Sequence, residues 1–359
     1  MTASGRTLAQ LFSNKRIVIC LGPGGVGKTT SAAAIAYAEA SLSKRACVVT
    51  IDPARRLASA LGLADLGNQA TLVTKVGHGE LWATMLDAHA TFDDMVRKYA
   101  TSTEQVDRIL GNRLYQNLTT SLSGTQEYMA MERLYELYED DRFDIIVVDT
   151  PPSISALDFL DAPKRLGSFL DNRIFKLLIK PPPTYLKPLS VATRALLKTI
   201  SKVVGAEVVD DAIQFFESFS GIEDGFRERA NEVERLLGSE ETGIVVVSSP
   251  RPQPMSEASG LASRLRTANR QVNAIVVNRI TPDFGNPPTQ TDSDSDPVIK
   301  NWLALAAQRV ADLKISAELA TDGQPILFID EILGEVADMG GIEAIAKVVA
   351  TVEMDLAGA

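Results

Sequence analysis

The chain has 359 residues, of which 45% are apolar and 23% charged, an ordinary composition for a globular protein. This length allows one large α/β domain with insertions, or two domains. A net charge of −10 without any long basic run argues against a nucleic-acid partner. Two cysteines, Cys20 and Cys47, are too few for a disulfide framework and favour a reducing compartment.

The N-terminal region and the apolar stretches bear on localisation. Residues 1–12 lack the apolar core of a secretory signal. No uncharged apolar stretch reaches the roughly 18–20 residues that a membrane-spanning helix needs. We therefore predict a soluble, cytoplasmic protein.

Seven short apolar runs predict buried β-strands. Most are continuous runs of Val and Ile rather than alternating patterns, which is typical of parallel strands covered by helices on both faces. Helical segments follow several of them, such as residues 29–41. We predict an α/β fold with a doubly wound, mostly parallel sheet. The predicted strands are residues 17–21, 46–51, 81–86, 145–148, 244–247, 274–277 and 326–329.

Two long segments interrupt this pattern of strands and helices. The first carries an aromatic face at helical spacing, and the second is rich in Leu, Ile, Val and Phe. We expect both to form an inserted helical subdomain beside the domain that contains the sheet. The helical face consists of Tyr128, Met131, Tyr135 and Tyr138. The sheet domain is predicted at residues 1–86, 142–160 and 242–359, and the subdomain at 87–141 and 161–241.

The strongest functional signal is the sequence GPGGVGKT at residues 22–29, between a predicted strand and a predicted helix. It matches the P-loop pattern GxxxxGK[ST], whose glycines let backbone N–H groups point at phosphate oxygens. The positive end of the following helix adds to this attraction. Lys28 is expected to reach the β- and γ-phosphates, and the Thr29 hydroxyl to ligate Mg²⁺. The predicted ATP-binding residues are Gly22, Pro23, Gly24, Gly25, Val26, Gly27, Lys28, Thr29 and Thr30.

Two aspartates follow predicted strands. Asp149 ends an apolar run, as a Walker-B carboxylate does, and is expected to hold Mg²⁺ through a water; a helix cap or turn is the alternative. Asp52 ends the second strand, where a carboxylate could orient the attacking water. By sequence alone, Asp52 could equally cap the following helix.

Taken together, these motifs resemble the family that contains the arsenite-pump ATPase subunit and the eukaryotic tail-anchored-protein targeting factor, whose P-loop is of the deviant Walker A type. The resemblance is carried by the P-loop, by DPA at residues 52–54 and by DTPP at residues 149–152. It extends to a helix start at residues 123–127 and to VVN at residues 276–278.

The resemblance implies roles that the residues alone leave open. It implies that Asp52 is catalytic together with Lys28, Asp52 activating the water, and that Asn278 contacts adenine. Without the family, Asn278 would be an ordinary turn residue. The resemblance also implies ATP and Mg²⁺ as cofactors, and a homodimer or a pair with a paralogous ATPase.

The chain departs from the family at several positions. Pro23 stands where the family usually has a lysine that reaches the partner's phosphates, and Arg55 or Arg56 is a hypothetical substitute. The chain lacks the CxxC pair that binds zinc and the cysteine triad that binds metalloid. The DTPPSI sequence at residues 149–154 also lacks the usual TGH, so the sensing of the γ-phosphate is expected to differ.

The helical insertions leave two interpretations open. In the targeting factors, helices at these places form an apolar groove for a client's transmembrane helix, but the same residue types also suit a packed core. The residues concerned are Phe175, Leu177, Leu178, Ile179, Leu196, Leu197, Ile200, Phe215, Phe216 and Phe219. We predict an ATP-hydrolysing switch coupled to a subdomain that binds a client or partner. The alternatives are an ATP-clamped targeting module for hydrophobic segments with slow turnover, and the energising subunit of a membrane anion pump.

Overall fold

The computed structural model describes residues 8–52, 56–116, 125–151, 156–171, 206–285, 297–320, 323–332 and 338–351. The chain divides into two compact units. The first comprises Met1–Leu86, Glu136–Leu157 and Gly238–Ala359, and the second comprises Asp87–Tyr135 and Asp158–Leu237.

The first unit is built on one sheet, which has eight strands among the described residues. The strands are β1 (Ile17–Leu21), β2 (Arg45–Thr50), β3 (Thr71–Val76), β4 (Gly79–Met85), β5 (Ile145–Asp149), β6 (Thr242–Ser248), β7 (Ala274–Ile280) and β8 (Ile326–Asp330). All seven predicted strands are confirmed, with ends that differ by a few residues. The predicted fold class, a mostly parallel α/β sheet, is confirmed as well.

The strand order across the sheet is β3-β4-β2-β5-β1-β6-β7-β8. Every neighbouring pair is parallel except β3 and β4, which form an antiparallel pair at one edge. Every residue of β1, β5 and β6 is buried, which explains their continuous apolar sequences. Because β1 lies between β5 and β6, the loop after β1 leaves the sheet beside the ends of both neighbours.

Strand β3 is absent from the prediction. Its residues are exposed or half-buried, and it includes Thr71, Thr74 and Lys75. An edge strand with one neighbour buries little side-chain surface, so it needs no apolar run that a sequence reading would detect.

Helices complete both units. They are α1 (Leu8–Leu11), α2 (Lys28–Ser41), α3 (Arg56–Ala60), α4 (Ala88–Tyr99), α5 (Thr103–Leu110), α6 (Thr125–Glu139), α7 (Ala156–Leu160), α8 (Ala162–Leu170), α9 (Ala206–Phe219), α10 (Glu223–Leu237), α11 (Pro252–Thr267), α12 (Pro297–Ala317) and α13 (Met339–Thr351). Within the described residues, none of these helices is both long and apolar enough to cross a membrane.

Helix α2 is the centre of the first unit's packing. It contacts β2 and β5 on the sheet and α13 on its other side. Its buried face is mostly alanine, from Ala32 to Ala40, and Lys28, Ile35 and Glu39 are its larger buried side chains. Small side chains let the helix approach its neighbours closely, and this holds its N-terminal end, where Lys28 lies, in a fixed position.

The second unit is helical in its described residues and has its own apolar core. Phe215, Phe219 and Phe226 are buried there, and their rings contact one another in tilted pairs. Phe215 and Phe219 therefore serve as core in this unit, and Phe216 is partly buried against it. The other seven residues considered for a groove, and Ser123 and Gly124, lie outside the described residues.

Candidate nucleotide-binding site

The loop between β1 and α2 has a backbone that its glycines make possible. Gly27 adopts φ +91°, in the left-handed region, and a Cβ there would lie 2.2 Å from the Asn278 amide nitrogen. A Cβ on Gly22 would lie 2.1 Å from the Val247 carbonyl oxygen of β6. A side chain at position 22 would displace the loop from the β6 backbone, and one at position 27 would displace the Asn278 amide and strain the left-handed backbone. Gly24 and Gly25, between them, are exposed.

Lys28 and the helix end give this loop its positive charge. Helix α2 begins at Lys28, and its preceding residue, Gly27, has no side chain that could cap the first N–H groups. Lys28 is buried and donates from Nζ to the Pro23 carbonyl oxygen at 2.8 Å. Burial lowers its pKa, and the nearby Asp149 carboxylate opposes that shift. Such a loop, with free amides and a folded-back ammonium group, is suited to bind an anionic phosphate chain.

Asp149 lies beside the loop, at the end of β5. Its Oδ2 accepts hydrogen bonds from the Thr29 hydroxyl at 2.8 Å and from the Thr50 hydroxyl at 2.9 Å. Its Oδ1 is buried and accepts no hydrogen bond from any described residue. Burial raises the pKa of Asp149 to about 6, against the opposing effects of these two hydroxyls and of Lys28.

The oxygen atoms around Asp149 fit a small divalent cation. A buried carboxylate oxygen without a donor needs a proton or a cation, and hard cations prefer carboxylate and hydroxyl oxygens. In the described part of the chain, no cluster of three or more His, Cys, Asp or Glu side chains could hold a metal alone. A cation here would therefore depend on the Thr29 hydroxyl, on Asp149 and on ligands from a bound molecule.

Asp52 lies one strand further along the sheet, just after β2. Its backbone N–H donates to the Thr50 hydroxyl at 3.2 Å, and its carboxylate pairs with Arg56 of α3 at 3.2 Å. Arg56 is largely exposed, whereas Asp52 is buried. Arg55 lies outside the described residues, as do the last three residues of the DTPPSI sequence.

Thr50 is a residue of this site that the sequence reading did not single out. It is 1% exposed, and its hydroxyl connects the Asp149 carboxylate with the backbone of Asp52. The only sequence signal was a polar residue at the end of an otherwise apolar strand. Its partner Asp149 is far away in sequence but directly opposite in the parallel register of β2 and β5.

Asn278 lies on the other side of the loop, near the end of β7. Its Nδ2 donates to the Val26 carbonyl oxygen at 3.0 Å, and its Oδ1 accepts from the Arg279 N–H at 2.9 Å. The structure thus brings the predicted residues together at the carboxyl ends of β1, β2, β5 and β7, all in the first unit. Thr30 lies in the first turn of α2, half-buried.

The two cysteines lie in strands near this site. Cys20 and Cys47 do not form a disulfide and are fully buried in β1 and β2. Burial raises the pKa of Cys20 far above that of an ordinary thiol, and Asp149 adds to the shift. Both are therefore packing residues, as their apolar surroundings in the sequence indicated.

Comparison with known proteins identifies the family. The sequence model of the family described as "Anion-transporting ATPase" matches residues 15–314. A protein of Aquifex aeolicus named arsenical pump-driving ATPase 1 is 20% identical over 339 residues, which cover 93% of this chain and 78% of that protein.

Fungal relatives are similar to the chain over a shorter span. The ATPase GET3 of Kluyveromyces lactis is 27% identical over 280 residues, covering 75% of this chain and 73% of that protein. The corresponding ATPase of Aspergillus niger is 26% identical over 281 residues, covering 76% of each chain. With a family match over most of its length and a P-loop sequence between β1 and α2, the chain belongs to the anion-transporting ATPase family and is an ATP-hydrolysing enzyme.

Proposed function

We propose that this ATPase binds Mg²⁺-ATP between the P-loop and the ends of β2 and β5, and that hydrolysis switches the state of its helical unit. The observation that carries the proposal is the buried Asp149 carboxylate. One of its oxygens is held by the Thr29 hydroxyl, and the other has no donor among the described residues. Such an oxygen beside a P-loop is where a nucleotide-bound cation gains a ligand, directly or through a water.

Each residue of the site has a role in this proposal. The amides of residues 22–30 bind phosphate oxygens, and Lys28 exchanges its bond to the Pro23 carbonyl for the β- and γ-phosphates. Thr29 and Asp149 hold Mg²⁺, which would neutralise charge on the phosphates. Asp52 orients the attacking water, since hydrolysis of a phosphoanhydride depends more on positioning and charge than on a strong base.

The domain organisation belongs to the same proposal. We assign residues 1–86, 142–160 and 242–359 to nucleotide binding, and residues 87–141 and 161–241 to an inserted subdomain that binds a client or partner. The chain divides into two compact units whose bounds lie close to these ranges, which supports this assignment. A nucleotide can change the conformation of the subdomain only if it binds the two conformational states of the protein with different affinity. A homodimer, or a pair with a paralogous ATPase, would place the nucleotide at an interface.

A second function is favoured by one residue, Pro23. Proline stands where the family usually has a lysine, so the loop does not supply that extra cation to a transition state. A protein of this kind would turn over slowly and use ATP as a clamp around a hydrophobic client. A third function, driving a membrane anion pump, is suggested by the name of the Aquifex relative. It would require a membrane partner and an anion site other than a cysteine triad.

Calorimetry with purified protein tests the common basis of these functions. We expect ATP to bind with an affinity that depends on Mg²⁺, and Lys28→Ala to lower that affinity at least about a hundredfold, since Lys28 pairs with two phosphates. Binding that is independent of Mg²⁺ or unchanged in Lys28→Ala would disprove the proposed site. Steady-state turnover at saturating ATP then separates the functions, because a clamp hydrolyses ATP far more slowly than a cycling switch.

A further inference from the structure

We infer that Asn278 positions the P-loop, and that Asp312 of α12 holds Asn278 in place through Thr281. This inference rests on the proposed function, because it concerns how the same loop is shaped to bind phosphates. It gives Asn278 a role that does not depend on the base of the nucleotide. It also adds Asp312, which lies in a different helix, to the residues on which the site depends.

The first step is the contact between Asn278 and the loop. The amide nitrogen of Asn278 donates to the Val26 carbonyl oxygen at 3.0 Å, in a buried position. That carbonyl and the Gly27 N–H belong to one planar peptide, so holding the oxygen also fixes the direction of the N–H. The Asn278 side chain reaches so close that a residue larger than glycine at position 27 would displace the Asn278 amide. Glycine at position 27 therefore leaves the room that the Asn278 amide needs to contact the loop.

The second step concerns the backbone that orients the Asn278 side chain. The Arg279 N–H donates to the Asn278 Oδ1 at 2.9 Å, which restrains the amide from its other end. Arg279 adopts φ +64°, a left-handed conformation that is unfavourable for a residue other than glycine. The pairing of β7 with β8 shifts register between Asn278 and Ile280. Such a local irregularity persists only if the surrounding structure holds it.

The third step is the set of contacts that hold this irregular segment. Asp312 is 4% exposed, and its Oδ2 accepts from the Thr281 N–H at 3.0 Å and from the Thr281 hydroxyl at 2.6 Å. Gln308 donates to the other carboxylate oxygen at 2.7 Å. Arg309 donates to the Thr281 carbonyl oxygen at 2.6 Å and pairs with Asp330 at the end of β8, also at 2.6 Å.

These contacts fix both polar groups of the Thr281 backbone to one helix. Thr281 is only three residues after Asn278, and the intervening chain is the strained turn at Arg279. The position of Asn278 therefore depends on Asp312, which makes Asp312 a positioning residue for the phosphate site. A residue with this role affects every ligand that the loop binds through phosphate, whatever base the ligand carries.

The experiment compares two ligands, ATP and inorganic tripolyphosphate, both with Mg²⁺, by calorimetry on the full chain. We expect Asn278→Ala to weaken both by the same factor, about five- to tenfold, the usual effect of losing one buried hydrogen bond. The matched control is Asn273→Ala, because Asn273 accepts a backbone hydrogen bond from Ile244 at 2.8 Å, before the start of β7. This control should bind both ligands as the parent does.

A loss of ATP affinity with unchanged tripolyphosphate affinity in Asn278→Ala would overturn the inference, because it assigns the residue to the base alone. If that variant fails to fold, Asp312→Ala, which removes the carboxylate that accepts both hydrogen bonds from Thr281, replaces it: an equal loss for both ligands supports the inference, and parent affinity for tripolyphosphate refutes it. If the proposed function itself were wrong, a different result would be seen: Lys28→Ala would bind both ligands with the parent's affinity.

Discussion

The hydroxyl of Thr50 donates to the Asp149 carboxylate at 2.9 Å and accepts the backbone N–H of Asp52 at 3.2 Å. One side chain thus links the carboxylate proposed to hold the cation with the segment proposed to orient the water. Since the hydroxyl is buried, water cannot easily replace it when it is removed. The position of Asp52 therefore depends on that of the Asp149 carboxylate through the Thr50 side chain.

Replacing Thr50 tests this connection. Thr50→Val keeps the shape of the side chain and removes both hydrogen bonds, so we expect kcat to fall about tenfold while KM for ATP changes less than about twofold. Thr50→Ser keeps the hydroxyl and should stay close to the parent. Steady-state hydrolysis assays measure both constants, and a Thr50→Val enzyme at the parent rate would show that the link has no catalytic role.

Asp52 is predicted to act on the reaction rather than on binding. Asp52→Asn keeps the size of the side chain and removes its charge, so we expect hydrolysis to slow at least about a hundredfold with little change in ATP affinity. Asp65→Asn, an exposed aspartate in the same unit, serves as the matched control and should hydrolyse at the parent rate. If Asp52→Asn lost affinity and rate together, Asp52 would be a binding or structural residue instead.

The raised pKa of Asp149 makes the stability of the ligand-free protein depend on pH. Burial raises this pKa from 3.8 to about 6, so between these values the folded state binds more protons than the unfolded state. The free energy of unfolding therefore falls as pH rises through this window, by about 3 kcal/mol at most, and the loss is complete above it.

An Asp149→Asn variant removes this dependence. Without nucleotide at pH 7.5, we expect urea unfolding to show it to be more stable than the parent by about 1–3 kcal/mol, and equal to the parent near pH 4. In contrast, Mg²⁺-ATP should stabilise the parent more than the variant, because one proposed ligand of the cation is gone. A variant that is less stable than the parent at pH 7.5 would contradict the destabilising effect of burying the Asp149 carboxylate.

The second unit contains a buried ion pair whose removal should be costly. Arg229 Nε lies 3.1 Å from Glu132 Oε1, with both side chains almost fully buried, and the guanidinium lies 4.3 Å from the centre of the Tyr135 ring. Glu132→Ala should destabilise the protein by about 3–5 kcal/mol, because it removes the buried carboxylate and leaves the guanidinium only the more exposed Glu232, at 3.4 Å. The double variant with methionine at both positions should lose much less, and urea unfolding of the two compares them. Equal losses would argue against a charge effect.

The two thiols should be inert in the native protein. Cys20 and Cys47 are fully buried, and the raised pKa of Cys20 keeps it protonated. We expect neither to react with an aromatic disulfide reagent until the protein is unfolded in guanidinium, after which both should react. Prompt reaction of the native protein would show that the strands open far enough to expose them. For the same reason, arsenite should not change the rate of ATP hydrolysis through these cysteines.

Several features could be read from local sequence because their physical causes are local. The buried strands appear as continuous apolar runs, and the P-loop appears as glycines at fixed spacing before Lys28 and Thr29. The half-exposed edge strand β3 escaped prediction because an exposed strand has no distinctive composition. The helix that carries Tyr128 and Met131 was predicted correctly from aromatic residues at helical spacing, but its burial is wider than that face, since residues 128–134 are all buried.

The tertiary structure alone decided which residues support the site. Thr50 meets Asp149 across 99 positions of sequence, and Thr281 meets Asp312 across 31. Neither pair has a local pattern, because a threonine at a strand end and an aspartate in a helix are each common and ordinary. Sequence therefore determined the fold class, the family and the phosphate loop, whose chemistry lies within a few consecutive residues. Strand order and packing determined how that loop is held, because hydrogen bonds depend on proximity in space rather than along the chain.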